Sequence, residues 1–426
     1  MKDKKSQTQI ILVATLVFIG CSSLGWWWGD NLRRGKYRDL IPALYSIGIL
    51  KFNYYQPVSA ARLMKVYWKT GNINRMLESL QDPYTEFLDQ SKYNELVKET
   101  EGSYGGIGVY LAPGKGPDAG GLVIEKVIDG SPAQAAGLRP GDQLIAVDQV
   151  PVQKAGDAFQ MITGKIGTKV SLRISRPING QGLPGDQRRR QMVITITRRK
   201  IEIPTVIMKL AVDPIIGEYA FIKITQFAKT TPGDLGRKLK ELERRNCKGL
   251  VLDLRGNPGG LLDESIEVIG HFLPENSPAL YIYHRGRLVE VRRVGRGYTH
   301  PKWPVIVLVN RYSASAAEVV AGALKDQKRA ILVGTPTFGK DLIQDVRELP
   351  GGGALKFTVF NYYTSGKVNI HKRGVQPNQI VEEPNFHPGR QSESLDSTLD
   401  LQNDYARMAL KILRKQVLKL EKKLAG

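Results

Sequence analysis

Residues 305–324 read VIVLVNRYSASAAEVVAGAL, which is an apolar run of five residues, a polar turn and a second apolar run. A short apolar run that ends in a turn predicts a buried strand, and the second run predicts a helix that begins near Ser315. Ser315 and Glu318 have the spacing of a capping box, in which a serine and a glutamate satisfy the first N–H groups of a helix. A serine in this position can also expose its hydroxyl group beside unpaired N–H groups that would stabilise an oxyanion. The stretch alone favours the cap.

The chain around this stretch alternates between strand and helix patterns. Apolar runs at 219–224 and 249–254 predict further strands, and a predicted helix with three leucines on one face lies between them. Strands that alternate with helices indicate an α/β core. We assign residues 201–390 to this core.

Two other segments of the core carry residues that suit chemistry. Residues 252–261, LDLRGNPGGL, place a glycine-rich turn after a strand, where backbone N–H groups can face a reacting carbonyl group. Residues 337–340, TFGK, place Lys340 after an apolar strand. A lysine in apolar surroundings loses its charge more readily and can accept a proton from a serine. Considered alone, however, Lys340 is more simply interpreted as a solvated loop residue.

The remaining segments predict three further structural regions. Residues 37–98 have a mostly helical pattern, interrupted by DPYTEFLD at 82–89, and we assign them to a helical collar. Residues 99–200 contain short apolar runs separated by glycine and proline turns, which predicts a compact β-rich module. Residues 391–426 predict an amphipathic helix, for which docking on the core is favoured over a membrane-surface or dimer role.

Length and charge limit the possible functions. A chain of 426 residues is too long for one ordinary core and predicts two or three folded units. The 62 Lys and Arg exceed the 41 Asp and Glu by 21 charges, but the basic residues are scattered and form no stripe interleaved with aromatic residues. We therefore expect no nucleic-acid partner and favour an anionic membrane surface. The two cysteines exclude a disulfide framework.

Residues 10–28 follow a lysine-rich start and contain no charged residue over 19 positions, closing on three tryptophans. A helix of this length nearly spans the hydrocarbon layer, and tryptophan suits the membrane interface. A signal peptide begins in the same way, but its apolar region is usually shorter and ends in a clear cleavage site. We therefore expect residues 1–36 to contain an uncleaved membrane anchor.

The β-rich module carries a recognisable string at 130–145, GSPAQAAGLRPGDQLI, which closely resembles the PDZ domains of bacterial proteases. Upstream, Gly106, Ile107, Gly108 and Val109 match the glycine-rich loop that presents N–H groups to the terminal carboxylate of a peptide in such domains. Glycine suits this role because it permits close approach of the backbone. The resemblance implies that a captured peptide adds as a strand beside this loop.

Five motifs together resemble the carboxyl-terminal processing peptidases, the tail-specific serine proteases of family S41. In chain order they are DPYT at 82–85, the PDZ string, LDLRGNPGG at 252–260, SASAAE at 313–318 and FGK at 338–340. The similarity covers about residues 75–380. It implies a multidomain α/β chain with a crotonase/ClpP-like serine protease core, and an endopeptidase that cleaves proteins near or from their C-terminal tails.

The resemblance also implies roles for individual residues. Ser315, the second serine of its string, would be the nucleophile in preference to Ser313, and Lys340, 25 positions later, would be the general base. Gln344 would orient Lys340 by a hydrogen bond. The family usually has glycine where this chain has Asp341, and we expect that carboxylate to point to solvent rather than to keep the lysine protonated.

The implied mechanism uses backbone groups and requires no metal or other cofactor. The N–H groups of Ala316 and of the turn at Gly259 and Gly260 would hold the oxyanion, and water would release the acyl-enzyme. The expected partners are protein substrates through their C-terminal tails, a membrane through the N-terminal segment, and a second copy of the chain in a homo-oligomer. The catalytic part would lie outside the cytoplasm.

Two alternatives stay open. A Ser-His-Asp hydrolase would use one of the five histidines at 271, 284, 300, 371 and 387, although none lies in a recognisable triad motif. An inactive PDZ scaffold or chaperone would use the protease core only for binding. The presence of both Ser315 and Lys340 argues against the scaffold.

Overall fold

The computed structural model describes residues 39–114, 121–177, 189–295, 303–381 and 404–425. The chain divides into two compact units, of which the smaller spans residues 101–204 and the larger contains the rest. The expected anchor at 1–36 lies outside the described residues. Within the described ranges, every helix falls short of the length and apolar character that crossing a membrane requires.

Ten helices are described in these ranges. They are α1 Leu40–Asn53, α2 Ala60–Thr70, α3 Ile73–Glu78, α4 Gln90–Glu101, α5 Pro132–Ala135, α6 Ala155–Ile162, α7 Thr231–Arg244, α8 Leu262–Gly270, α9 Ala316–Asp326 and α10 Asp404–Ala425. The described strands are β1 Glu86–Leu88, β2 Ser103–Gly106, β3 Val109–Pro113, β4 Leu122–Val127, β5 Gln143–Val147, β6 Val150–Pro151, β7 Lys169–Pro177, β8 Arg189–Thr197, β9 Arg199–Glu202, β10 Val206–Asp213, β11 Gly217–Ile224, β12 Leu250–Asp253, β13 Pro278–His284, β14 Arg287–Arg293, β15 Val305–Val309, β16 Ala330–Gly334, β17 Leu342–Glu348, β18 Ala354–Thr364 and β19 Gln379–Ile380.

The smaller unit is the β-rich module that the sequence predicts. An antiparallel sheet has the strand order β3-β4-β5-β7-β8, with β6 paired to β5, and β2 pairs separately with β9. The alternating apolar residues of these strands meet α6 in one core that includes Ile124, Leu172 and Ile174. Strand β3 is at the edge of the sheet, so one side of its backbone is open within this unit.

The larger unit is built on a sheet with the order β10-β11-β12-β15-β16-β19. The pairs from β11 to β19 are parallel, which confirms the predicted α/β core. In β15, Val305, Val307 and Val309 face a core formed with α7, α8 and α9, while Ile306 and Leu308 face a second core. Burial on both faces explains why this strand is entirely apolar.

Helix α10 covers the second face of the parallel sheet. Tyr405, Ala409, Leu413 and Val417 recur at intervals of four, so they form one buried stripe against β12, β15 and β16. Arg414 beside this stripe donates to Asp213 Oδ2 at 2.5 Å. The amphipathic pattern near the C-terminus therefore corresponds to a helix that packs on the core.

A second, antiparallel sheet has the order β1-β18-β13-β14, with β17 also paired to β18. Helices α1, α2 and α3 pack against it, and their residues Leu50, Tyr67 and Met76 share a core with Leu355 and Phe357 of β18. The helical collar is therefore continuous with the larger unit rather than a separate core. This packing brings the segment between α3 and β1 against the middle of β18.

Candidate active site

The polar turn between β15 and α9 holds Ser315 in an unusual backbone conformation. Its φ is +54° and its ψ is −119°, in a region that residues other than glycine rarely adopt and that costs about 1–3 kcal/mol. The turn is fixed by Ser313, which is fully buried and donates from Oγ to the Leu254 carbonyl at 2.8 Å. Ser313 therefore has a structural role, while the half-buried Ser315 begins the helix.

The glycine-rich turn after β12 lies directly against Ser315. Gly259 has a φ of +109°, and a Cβ there would come within 2.8 Å of Ser315 Cβ and 2.9 Å of the Ala314 carbonyl oxygen. Gly260 has a φ of +137°, and its Cβ would come within 2.2 Å of the Phe227 carbonyl oxygen. Only glycine fits at these two positions, because the backbone segments approach so closely.

The orientation of the turn changes the expected set of oxyanion donors. The Gly259 N–H donates to Oδ1 of the buried Asn257 at 2.8 Å, so the prediction that it faces the reacting carbonyl is not supported. The N–H groups of Gly260 and Ala316 have no acceptor within the part of the chain that the structure describes. These two groups are therefore the available donors beside Ser315.

Glu318 connects the serine turn to the lysine segment. Its buried carboxylate accepts hydrogen bonds from the backbone N–H groups of Ser315 and Lys340, both at 2.9 Å to Oε2. Oε1 accepts from the Gly339 N–H at 2.6 Å and the Thr337 hydroxyl at 2.5 Å. Burial raises the pKa of Glu318, and these hydrogen bonds oppose the rise. The capping box that the sequence predicts thus also holds a distant segment.

Tyr362 makes a second connection between the same two segments. Its hydroxyl group donates toward the Lys340 carbonyl oxygen at 2.9 Å and the Ser315 carbonyl oxygen at 3.3 Å. The side chain comes from β18 and is almost completely buried. Ser315 and Lys340 are therefore held together through both their N–H and their carbonyl groups.

All the residues predicted for catalysis and oxyanion binding line one cavity of about 440 Å³. They are Gly259, Gly260, Ser315, Ala316, Lys340 and Gln344. Apolar side chains that include Leu262, Val319 and Leu342 form other parts of its wall. No described histidine lines this cavity, so the arrangement gives no support to a histidine base.

The amine of Lys340 is held in surroundings that favour its neutral form. Burial lowers its pKa to about 8, with a further decrease from the positive charge of Lys356, while Asp82 and Glu318 oppose the change. The Nζ atom lies 4.3 Å from the centre of the Tyr84 ring. Sequence reasoning missed Lys356 and Tyr84, although Tyr84 belongs to the DPYT motif.

Gln344 and Asp341 differ from their expected arrangements. The Nε2 atom of Gln344 is buried and makes no hydrogen bond within the described ranges, so the expected bond to Lys340 is not formed here. Asp341 is only 4% exposed, and its Oδ1 lies 2.7 Å from Nδ1 of His371. The prediction that Asp341 points to solvent is therefore wrong, because the Asp341 carboxylate is buried and pairs with the half-exposed His371.

The smaller unit has an apolar groove of about 290 Å³ beside β3. Ile107, Gly108 and Val109 line it together with Phe159, whereas Gly106 is paired with β9 and lies outside the lining. The N–H groups of Ile107 and Gly108 have no acceptor among the described residues. The loop can therefore offer two N–H groups to a carboxylate at one end of an apolar groove.

We expect Glu318→Gln to lower the free energy of unfolding by about 1–3 kcal/mol. In glutamine an amide nitrogen would replace one of the carboxylate oxygens. The buried N–H groups that now donate to that oxygen would then have no acceptor. Urea unfolding of both proteins would measure the difference, with Glu267→Gln on the exposed face of α8 as the control. A change below about 0.5 kcal/mol would contradict this role, since that is the usual effect of a surface substitution.

Comparison with known proteins agrees with this architecture. A family model described as peptidase family S41 matches residues 218–381, and a model described as PDZ domain matches residues 123–176. A carboxyl-terminal-processing protease of Synechocystis sp. is 35% identical over 314 residues, covering 73% of this chain and 70% of its own. The carboxy-terminal processing protease CtpA of Bacillus subtilis is 33% identical, covering 79% of this chain and 68% of its own.

Among solved structures, a photosystem II D1 C-terminal processing protease is 28% identical, with a TM-score of 0.48 and coverage of 80% of this chain and 92% of that one. The S41 match includes Ser315 and Lys340, and the PDZ match includes β5 and most of β4 and β7. The chain therefore belongs to peptidase family S41, is a serine-type peptidase, and carries a PDZ domain in its smaller unit.

Proposed function

We propose that the chain is an endopeptidase that cleaves proteins near or from their C-terminal tails, with Ser315 as nucleophile and Lys340 as general base. The observation that carries this proposal is the cavity in which both residues are held by the Glu318 carboxylate. The names of the relatives, which describe C-terminal processing, support the class of substrate.

In the proposed reaction, neutral Lys340 accepts the proton of the Ser315 hydroxyl as the oxygen attacks the scissile carbonyl carbon. With a pKa of about 8, roughly a tenth of the lysine is neutral at pH 7. The N–H groups of Gly260 and Ala316 hold the developing oxyanion. Lys340 then returns the proton to the leaving amine, and a water molecule releases the acyl group from Ser315.

Gln344 has a supporting role in this proposal. Its Nε2 is buried without a partner in the described chain and belongs to a residue that lines the cavity. The Oε1 atom of the same amide can accept an N–H of the Lys340 amine, which leaves the lone pair of the neutral lysine free for the serine proton. We therefore retain Gln344 as the residue that orients Lys340 when substrate is bound.

We further propose that the PDZ domain captures the substrate tail. The terminal carboxylate would accept hydrogen bonds from the N–H groups of Ile107 and Gly108, and the last side chain would enter the apolar groove beside Phe159. The tail would add to β3, whose outer edge is open within the domain. The apolar lining of the groove favours a tail with an apolar last residue.

Three expectations from the sequence stay predictions. They are the membrane anchor at 1–36, the position of the catalytic part outside the cytoplasm, and self-association into a homo-oligomer.

Ser315→Ala and Lys340→Ala should each lower cleavage of an unfolded protein with an apolar C-terminal tail by about a thousandfold or more, because each removes a member of the dyad. Cleavage rates would be measured with the full chain, with thermal unfolding to verify folding. Lys411→Ala on the exposed face of α10 is the control. If Lys340→Ala retained more than about a tenth of wild-type activity, the lysine base would be wrong; if the wild type bound the tail without cleaving it, the scaffold alternative would gain support.

The pH dependence of kcat/KM should follow the neutral form of Lys340. Activity should rise with pH through about 8, because only the deprotonated amine can accept the serine proton. Lys356→Met removes a charge that lowers this pKa, so the rising limb should move to higher pH and activity at pH 7 should fall. If the rising limb stayed at its wild-type pH in Lys356→Met, or also moved in the control Lys411→Met, the charge of Lys356 would not be what lowers the pKa of Lys340.

Phe159→Asp should weaken binding of a peptide with an apolar last residue and a free carboxylate by at least about tenfold, because it places a charge in the apolar groove. Binding would be measured by fluorescence anisotropy to the full chain carrying Ser315→Ala, so that no cleavage occurs. Val193→Asp is the matched control, since Val193 is 63% exposed on β8 and lies outside the groove lining. Equal affinities of the two variants, or equal binding of an amidated peptide, would contradict tail capture.

A further inference from the structure

The DPYTEFL segment at 82–88 belongs to the helical region in sequence, but it reaches the catalytic cavity. It connects α3 to β1, and β1 pairs antiparallel with β18 so that Glu86 stands opposite Lys356. Glu86 Oε1 also accepts a hydrogen bond from Lys356 Nζ at 2.9 Å. The segment therefore fixes a cation in the wall of the cavity.

A buried carboxylate holds the first part of this segment in place. Oδ2 of Asp82 accepts hydrogen bonds from the hydroxyl groups of Tyr54, Thr85 and Thr358, at 3.0, 2.7 and 2.7 Å. Oδ1 accepts the backbone N–H of Tyr84 at 3.0 Å. These bonds join the residue that follows α1, the segment and β18, so the backbone of Tyr84 is tied to β18 through Asp82.

Tyr84 extends from this anchor to the amine of Lys340. The Nζ atom lies 4.3 Å from the ring centre, within the range in which an aromatic ring attracts a cation. The ring gives the amine an oriented contact, whereas Asp82 and Glu318 act on the amine through their charge. The ring therefore covers one side of the amine.

We propose that Tyr84 is a positioning residue for Lys340, and that its ring holds the amine in the cavity and limits its contact with water. The inference rests on the proposed function, in which Lys340 is the general base. It assigns a role in catalysis to the DPYT motif, which lies far from both dyad residues in the sequence. The Asp82 hydrogen bonds keep the ring in place, and the Glu86–Lys356 pair supplies the neighbouring charge.

The test is the pH profile of kcat and KM for the full chain with Tyr84→Ala, using Tyr84→Phe as the matched control. Removing the ring loses an attraction that favours the charged amine, but it also admits water, and burial is the largest influence on this pKa. The pKa of Lys340 should therefore rise, and the rising limb should move above its wild-type position near 8. Activity at pH 7 should fall at least about tenfold, which corresponds to one unit of pKa, and should recover in part at pH 9.5. Tyr84→Phe keeps the ring face and should stay within about twofold of wild type.

Tyr84→Leu keeps the inference testable if the alanine variant does not fold. Leucine fills much of the space but offers no ring face to the amine, so kcat should fall at least about fivefold with KM within about twofold. A purely structural role would lower the thermal unfolding temperature without moving the limb or kcat of the folded protein. An unchanged limb and kcat in folded Tyr84→Ala or Tyr84→Leu would overturn the proposal.

Parallel measurements on Lys340→Ala separate this inference from the proposed function. If Lys340→Ala is inactive and Tyr84→Ala behaves as wild type, the dyad stands and only the role of Tyr84 fails. If Lys340→Ala remains active, the lysine base fails, and the positioning role of Tyr84 fails with it.

Discussion

The arrangement of the active site depends on one buried carboxylate, that of Glu318. The serine turn follows β15 and the lysine follows β16, so these paired parallel strands place the two loops at the same edge of the sheet, and contacts outside the sheet join Ser315 to Lys340. Because Oε2 of Glu318 accepts from the N–H groups of both Ser315 and Lys340, the two backbones have a common anchor. A buried charge is costly unless its hydrogen-bonding capacity is filled, and here four donors fill it. Tyr362 adds a second link, because its hydroxyl group donates toward the carbonyl oxygens of the same two residues.

The strained conformation of Ser315 is stabilised by the packing around it. Gly259 lies so close to Ser315 and Ala314 that a side chain would displace the turn, and the Asn257 side chain holds this glycine through its N–H. The hydroxyl of Ser313 and the backbone of Ala314 tie the serine loop to the same glycine-rich segment. Among the described residues, these contacts hold the turn while the N–H groups of Gly260 and Ala316 have no acceptor. A turn that satisfied every N–H would have no donor left for an oxyanion.

Local patterns in the sequence predicted the helices and strands, but they did not predict all the residues that these elements contact in the fold. The parallel strands were predictable because runs such as residues 305–309 are apolar on both faces, and Ser315 was predictable because a capping box has a fixed spacing. The environment of Lys340 was not, since Tyr84 and Lys356 reach it through the pairing of β1 with β18, which no short motif encodes. The prediction for Asp341 was wrong for the same reason, because its partner His371 lies in a separate loop.

The acidity of Lys340 reflects a balance between structure and chemistry. Burial and the charge of Lys356 lower its pKa, while Glu318 and Asp82 raise it. Both acids have structural duties, since Glu318 holds the dyad backbone and Asp82 holds the segment that carries Tyr84. Removing either acid would lower the pKa of Lys340 further, but it would also remove the hydrogen bonds that hold the segments around Lys340. Lys356, whose ion pair with Glu86 joins β1 to β18, offsets part of this effect without replacing either acid. The pKa of about 8 therefore reflects burial and the charge of Lys356, opposed by two carboxylates that also hold the surrounding segments in place.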